Sequence, residues 1–326
     1  MTRSSELGWQ LDGITMYGTF TSPDGNGPWP AVVMVAGSGP TDRHWNSPFL
    51  PGDNGSARLL AEALAEAGMA SLRYDKRASG PHVAENLPAM IGRISMQSHL
   101  DEVVAAVGVL AAQEGVDAAR IAGLGNSEGC LHVLHYATRP QSVPWVGLVL
   151  TAPPGRPVGE VLVTQLAQQL RPLPNGEAFL AMVEAAATRY ADGRPMDPDP
   201  GLPENIRMVL SSFETPANLP FARELWVEGA DRALPDVRVP TLVVIGRRDV
   251  QVDADLDGGP LQDAAAGMAD VSFAFPAHAN HVLKEETRSN AEVVASGDLR
   301  YNDADARLDP EASDLITSWL RGVLAA

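Results

Sequence analysis

The chain has 326 residues, enough for one large α/β domain or two small ones, and 45% of them are hydrophobic, the ordinary content of a globular protein. Its 41 acidic residues against 24 basic ones leave a net charge of −17, which argues against nucleic acid and anionic membrane surfaces as partners. Cys130 is the single cysteine, which excludes an intrachain disulfide, and no apolar run reaches the ~20 residues that span a bilayer.

Residues 1–13 are polar and mixed, without the basic segment and apolar stretch of a signal peptide, so a soluble cytoplasmic protein is expected. Residues 7–11 and 15–21 flank Asp12-Gly13, the pattern of a β-hairpin. A turn-rich connector over 22–30 leads to the apolar run 31–36 (AVVMVA), which reads as a strand buried on both faces. A helix over 56–68 ends at glycine, and a strand over 69–74 follows. Residues 96–114 have helical spacing up to Gly115; then come a strand over 121–124, a helix over 128–138, and a strand over 145–152 stopped by Pro153-Pro154. Strands over 241–245 and 271–275 and a helix over 310–324 complete the series. Strand and helix alternate, so the fold class is α/β, with a mostly parallel central sheet flanked by helices.

The alternation breaks between Pro154 and Val239. There 161–170, 178–190 and 206–213 have amphipathic helical spacing, separated by links rich in proline and glycine. This predicts a helical cap, 155–238, inserted into a core domain built from 1–154 and 239–326; a second small domain with its own partner is the other arrangement open to it. Residues 285–308 are polar and charged and read as a surface excursion.

The chemistry concentrates at Gly125-Asn126-Ser127-Glu128-Gly129, directly after a buried strand and directly before a helix. G-x-S-x-G in that context is a nucleophile elbow, a turn so tight that only glycine fits beside the serine. Ser127 is therefore the candidate acyl-transfer nucleophile. A serine needs a base, and the base an orienting acid. Asp249 sits in the loop after TLVVI; Asp253, Asp255 and Asp257 lie close by, but Asp249 is nearest to the strand end. The loop after 145–152 offers Thr151 and two prolines but no acid. For the base, both His278 and His281 follow the strand VSFAF, and the residues alone leave both open. His44, His82, His99, His132 and His135 have no strand-end position paired with an acid; His132 and His135, on the helix behind the nucleophile, read as packing residues. An oxyanion hole needs two backbone N–H donors. Glu128, after the nucleophile, supplies one; Ser38 in Gly37-Ser38-Gly39-Pro40 is the candidate for the other, with Gly39 as the close alternative.

With these motifs the chain resembles the α/β-hydrolase superfamily, and within it serine esterases with a G-x-S-E-G elbow, akin to bacterial esterases of the EstD type. The resemblance runs over about 10–155 and 238–326 and is weakest in the cap. It is carried by residues 37–43 (GSGPTDR), 74–80 (YDKRASG), the elbow, 246–252 (GRRDVQV) and 280–284 (NHVLK). It implies the α/β-hydrolase fold and a triad of Ser127, Asp249 and His281, and so selects His281 over His278. Two departures stand out: Asn126 where the family commonly has histidine, and Ala78 where it has glycine after the arginine. The first places substrate preference in question. Asp42, Arg43, Asp75 and Arg77 are expected to form ion pairs behind the oxyanion hole.

Asp253-x-Asp255-x-Asp257-Gly258 imitates the start of a calcium loop, but its twelfth position is Ala264, where a bidentate glutamate belongs. Lys76 and Lys284 are the only lysines, which leaves few candidates for Schiff-base or Ser–Lys chemistry. Gly123-Leu124-Gly125 fails the dinucleotide spacing at Glu128, and Cys130 reads as a small packing residue. The expectation is a carboxylic ester hydrolase needing no cofactor and no metal, acting on a small to medium, partly apolar ester. The cap would form the acyl or alcohol pocket, and its apolar residues Leu166, Leu170, Phe179, Met182, Phe213, Phe221 and Trp226 suggest a substrate with apolar parts, while the sequence leaves open which of them face the site. A thioesterase or acyltransferase of secondary metabolism, or a catalytically silent binding protein on the same scaffold, are the alternatives. A propeller-bearing peptidase has no matching segment, and a dehalogenase would need aspartate at the elbow. Oligomeric state is not legible.

Overall fold

A computed structural model describes residues 2–303 and 305–325. Its strands are β1 (Thr2–Leu11), β2 (Ile14–Pro23), β3 (Trp29–Val35), β4 (Ala70–Tyr74), β5 (Val116–Asn126), β6 (Leu148–Thr151), β7 (Thr241–Val244) and β8 (Val271–Ala274). They form one sheet in the order β1-β2-β4-β3-β5-β6-β7-β8. The helices are α1 (Ser56–Glu66), α2 (Val83–Met90), α3 (Met96–Ala111), α4 (Gly129–Ala137), α5 (Val158–Leu170), α6 (Gly176–Ala191), α7 (Glu204–Ser212), α8 (Phe221–Trp226), α9 (Ala230–Ala233), α10 (Gly258–Ala264), α11 (Asn290–Ser296) and α12 (Pro310–Ala325).

From β3 and β4 through β8 the pairing is parallel; β1 and β2 are antiparallel to each other, and β2 runs antiparallel to β4. The hairpin turn holds Asp12 and Gly13 at φ 52° and 81°. Two successive positive φ values match the right-handed twist of the strands they join, which is why Asp-Gly recurs there.

The apolar run in β3 shows why the sheet needs cover on both faces. Alternate side chains point to opposite sides. Ala31, Val33 and Val35 join one core cluster, and Val32, Met34 and Ala36 the other, all at most 2% exposed. The first cluster takes in Val103, Ala106, Val107 and Leu110 of α3 and Leu131, Val133 and Leu134 of α4. The second takes in Ala57, Leu60, Ala61 and Leu64 of α1 and Ile316, Leu320 and Leu324 of α12. Each such buried valine or leucine contributes roughly 1.5–3 kcal/mol. Between β6 and β7 the chain runs through α5–α9, and α5, α6, α7 and α8 share a cluster of their own around Leu170, Val183, Leu210 and Trp226.

β3 pairs with β4 on one side and β5 on the other, and its crossovers leave in opposite directions. The carboxyl ends of β3 and β5 lie level, with Val35 opposite Gly125. Loops at such a switch point diverge and leave a crevice between them. The strands are longer than the expected 7–11, 15–21 and 121–124, and α2 and α8–α11 lie outside the expected elements. No helix among the described residues is long and apolar enough to cross a membrane.

Candidate active site

Ser127 directly follows β5 with φ 54°, a left-handed conformation that costs a non-glycine residue energy and is kept where surrounding structure enforces it. Its N–H donates to the Thr151 carbonyl at 2.8 Å, and its carbonyl accepts the Cys130 N–H at 2.9 Å. A Cβ on Gly125 would lie 2.6 Å from the Cys130 nitrogen, and one on Gly129 would meet the carbonyl oxygens of Val35 and Ala36. Glycine is required at both positions because the turn presses β5 and α4 against β3. Cys130, fully buried, donates its thiol to the carbonyls of Gly125 and Thr151 at 3.2 and 3.3 Å, and burial pushes that thiol up, away from thiolate chemistry. It is the packing residue expected.

Asp249 and His281 are brought together. Asp249 is 1% exposed; its Oδ1 accepts the N–H groups of Gln251 and Val252 at 2.8 and 3.0 Å, and its Oδ2 lies 2.8 Å from His281 Nδ1. A carboxylate only accepts, so Nδ1 carries the hydrogen and Nε2 is left free. The loop bearing His281 is closed by Asn280, whose Oδ1 accepts the N–H groups of Val282 and Lys284 at 3.1 and 2.9 Å. His278 is exposed and does not line the cavity described below. Asp257 pairs with Arg156, Asp255 with Arg247, and Asp253 accepts the N–H groups of Asp255 and Leu256, so these carboxylates are engaged away from His281. No group of three or more His, Cys, Asp or Glu among the described residues is arranged to hold a metal.

Behind the Ser38 and Glu128 peptides lies a buried polar cluster that sequence reading missed. Lys76 Nζ donates to the Gly37 carbonyl at 2.6 Å and to Glu128 Oε1 at 2.7 Å, with both side chains 4% exposed. Glu128 Oε1 also accepts from His132 Nε2 at 3.1 Å. Burial alone would raise the Glu128 carboxyl, but Lys76 and the His132 hydrogen bond outweigh it and hold the group well below the usual carboxylate range. Burial lowers His132 to about 4, so its ring is neutral at pH 7, with the proton on Nε2. His132 is thus a hydrogen-bonding partner of Glu128 rather than a packing residue; the i, i+4 spacing of the two on α4 was the available signal. A second buried set lies alongside: Arg77 pairs with Glu102, Glu102 meets His99 Nδ1 at 3.2 Å, and the His99 and His132 rings are 4.6 Å apart.

Of the four charged residues expected to pair, Arg43 and Asp75 pair with each other through Nη2–Oδ2 at 2.8 Å, and Arg77 pairs with Glu102. Asp42 instead accepts the N–H groups of His44 and Asn46 at 2.7 and 2.9 Å and shapes the turn beneath Trp45. Asn126 is 3% exposed and points back into the protein, its Nδ2 donating to Thr151 Oγ1 at 3.2 Å and to the His281 carbonyl at 3.1 Å. It ties the β5 end to the His281 loop.

Ser127, His281, Ser38 and Gly39 line one cavity of about 650 Å3. Among the described residues Ser127 Oγ, Ser38 N–H and Glu128 N–H have no hydrogen-bond partner in the protein. The apolar residues named in 155–238 do not line the cavity: Leu166, Leu170 and Trp226 form the core of α5–α8, with Phe179, Met182 and Phe213 packed against it, and Phe221 lies against His99. The face that α5 turns to the cavity is Gln165, Gln168 and Gln169. Residues 285–308 are not a bare surface excursion. They form α11 and bring Val293, Val294, Leu299 and Tyr301 to the cavity wall.

The fold is found again among solved structures. The chain has a TM-score of 0.56 to the α/β hydrolase GrgF from Penicillium sp. sh18, at 14% identity and covering 99% of this chain and 100% of that one. This is an α/β-hydrolase fold. The proline iminopeptidase of Mycobacterium smegmatis gives a TM-score of 0.55 at 17% identity, covering 98% of this chain and 99% of that one, and the esterase domain of a Rhodothermus marinus protein gives 0.52 at 15%, covering 98% of each. At the level of sequence, a stretch of 169 residues is 33% identical to Esterase EstD of Thermotoga maritima, spanning 51% of this chain and 38% of that protein. No family model matches the chain. The esterase resemblance read from the motifs is thus found again in a sequence relative, and the hydrolase fold in solved structures.

Proposed function

We propose that this α/β-hydrolase is a serine carboxylic ester hydrolase with Ser127 as nucleophile, His281 as base and Asp249 as its orienting acid. The observation that carries the reading is the buried Asp249–His281 pair at 2.8 Å opening onto the same cavity as a strained, glycine-flanked Ser127. His281 Nε2 takes the Ser127 proton as Oγ attacks the ester carbonyl. The tetrahedral oxyanion is received by the free N–H groups of Ser38 and Glu128, at the N-terminus of α4. Collapse expels the alcohol, which takes the proton from His281; water, activated by the same histidine, then releases the acid and restores Ser127. Lys76 acts as a positioning residue: Gly37 C=O and Ser38 N–H belong to one planar peptide, so the bond to the carbonyl sets the direction of the donor. The segment 155–238 serves as a cap, with α5 over the cavity. A thioester of a phosphate-bearing carrier is not favoured, since among the described residues no lysine or arginine lines the cavity to meet the phosphates.

Intact-protein mass after a fluorophosphonate probe tests the reading. Wild type is expected to gain one adduct and Ser127→Ala none, while Asp249→Asn is expected to lose kcat by about 10⁴-fold on an activated ester, as loss of the orienting acid does in this chemistry. Absence of labelling on folded wild type, or an unchanged Asp249→Asn rate, overturns it.

A further inference from the structure

The cavity over Ser127 has an unusual chemical lining. Among the described residues no Lys, Arg, Asp or Glu faces it, although such residues make up 20% of the chain. Carboxamides stand there instead: Gln165, Gln168 and Gln169 on one face of α5, with Gln251, Asn54 and Asn302 from three loops. Four of the chain's nine glutamines are in this one wall.

Some of these groups are engaged. Gln165 donates to the Gln251 carbonyl at 3.0 Å, and Gln251 donates to the Tyr301 hydroxyl at 2.9 Å. Asn302 donates to the carbonyls of Leu50 and Pro51, while its own Oδ1 is shielded from solvent without a donor. Others are unspent: among the described residues the carboxamides of Gln168 and Gln169 and the side-chain nitrogen of Asn54 have no protein partner. Apolar surface is present too, from Val293, Val294 and Leu299, and Phe49 stands 79% exposed at the rim.

We propose that the preferred substrate is an ester of a neutral, hydroxyl-rich alcohol, a sugar or polyol, carrying a short acyl group. The inference rests on the serine-hydrolase reading above. A carboxamide offers donors and an acceptor without charge, and a hydroxyl does the same from one atom, so the two satisfy each other in either direction. An alkyl chain on the same wall would strip water from the carboxamides and leave them unpaired, which a site discriminates against strongly. An anionic group would find no cation. The apolar strip suits the short acyl group, and the Phe49 ring suits the C–H face of a sugar. The reaction is the hydrolysis already described: water cleaves the acyl C–O bond, giving the carboxylic acid and the free polyol.

The test is a set of acetates of similar size assayed for acetate release: methyl 6-O-acetylglucoside, octyl acetate, the acetate of an N-acetylserine amide, and 2-acetoxyglutarate. The sugar acetate is expected to exceed the alkyl acetate about tenfold in kcat/KM, and the dianionic one about a hundredfold. Replacing Gln168 by Leu is expected to narrow the sugar-to-alkyl ratio about tenfold, read as a ratio within one folded variant. A preference for the alkyl, amide or anionic acetate overturns the inference, as does a ratio that Gln168→Leu leaves unmoved. Fluorophosphonate labelling of Ser127 in the same preparation separates the two readings. Labelling without sugar preference removes only this inference; no labelling removes both.

Discussion

Lys76→Met keeps most of the side-chain stem and removes the ammonium. Two contacts go: the 2.6 Å bond to the Gly37 carbonyl and the 2.7 Å ion pair with Glu128, both in a region where each side chain is 4% exposed. Leaving one member of a buried pair alone costs about 3–5 kcal/mol, and the lost carbonyl bond about 1 kcal/mol more. Against a domain stability of roughly 5–15 kcal/mol the protein still folds, with a melting temperature lower by about 10 °C. Removing both charges, as Lys76→Met with Glu128→Gln, leaves no uncompensated charge, and His132 can still donate to the amide oxygen. Most of the lost stability is expected to return. Activity is not. The Gly37–Ser38 peptide remains untethered in both variants, and since losing an oxyanion donor outright costs about 10²–10³ in kcat, a misdirected one is expected to cost about 10–100-fold, with KM little changed. The assay pairs thermal melts with steady-state kinetics on an activated ester for the single and double variants. Recovery of kcat together with melting temperature in the double variant refutes the positioning role and reduces Lys76 to a structural charge.

Two further outcomes follow from the same region. His132 is held near 4 in the folded protein against 6.5 when exposed, so between those values the unfolded chain binds a proton that the folded one refuses. The stability it contributes is complete above pH 6.5 and falls by about 3 kcal/mol as pH drops toward 4; melting curves of His132→Gln are expected to be flatter than wild type over that window, and parallel curves would remove the cause given. Gly129→Ala would drive a Cβ into the carbonyl oxygens at the end of β3, and is expected to yield insoluble or unlabelled protein; a soluble variant with normal fluorophosphonate labelling would show that the elbow tolerates what its geometry forbids.

The parts of the site legible in sequence are those built from local rules. A strand buried on both faces must be continuously apolar, so 31–36 and 121–124 announced the centre of the sheet. The elbow demands glycine at 125 and 129, and chain order then points to an acid and a histidine after later strands. Choosing between His278 and His281 needed the family resemblance, because nothing local says which of two loop histidines turns inward. Which cap residues face the cavity was not legible for a related reason. Amphipathic spacing in 161–170 reveals that one face is buried but not against what. That face closes on the neighbouring helices around Val183 and Leu210, which leaves the glutamine face to the cavity. Residues 285–308 hid their role because Val293, Leu299 and Tyr301 follow no helical or strand period.

Lys76 and Lys284 share a logic that explains how a site made largely of loops holds its shape. They are the chain's only lysines, they are 4% and 2% exposed, and each ammonium grips a main-chain carbonyl of a cavity-lining residue: Lys76 that of Gly37, Lys284 that of Tyr301 at 2.7 Å. Burial lowers the Lys284 ammonium from its ordinary value, the cost of placing it there. Neither the Gly37–Thr41 loop nor the Tyr301 turn belongs to a strand or helix, so no ladder of backbone hydrogen bonds fixes them. A point charge with several donors on a long stem can reach up from beneath and do so, without presenting charge to the cavity. Residues 279–284 complete the arrangement: Lys284 follows His281 by three positions, and the Leu283 carbonyl accepts the Asp309 N–H at 2.8 Å. The histidine loop and the Tyr301 turn are tied together through Lys284. A substitution at Lys284 is therefore expected to act on substrate selection through the Tyr301 wall, while one at Lys76 acts on the oxyanion hole.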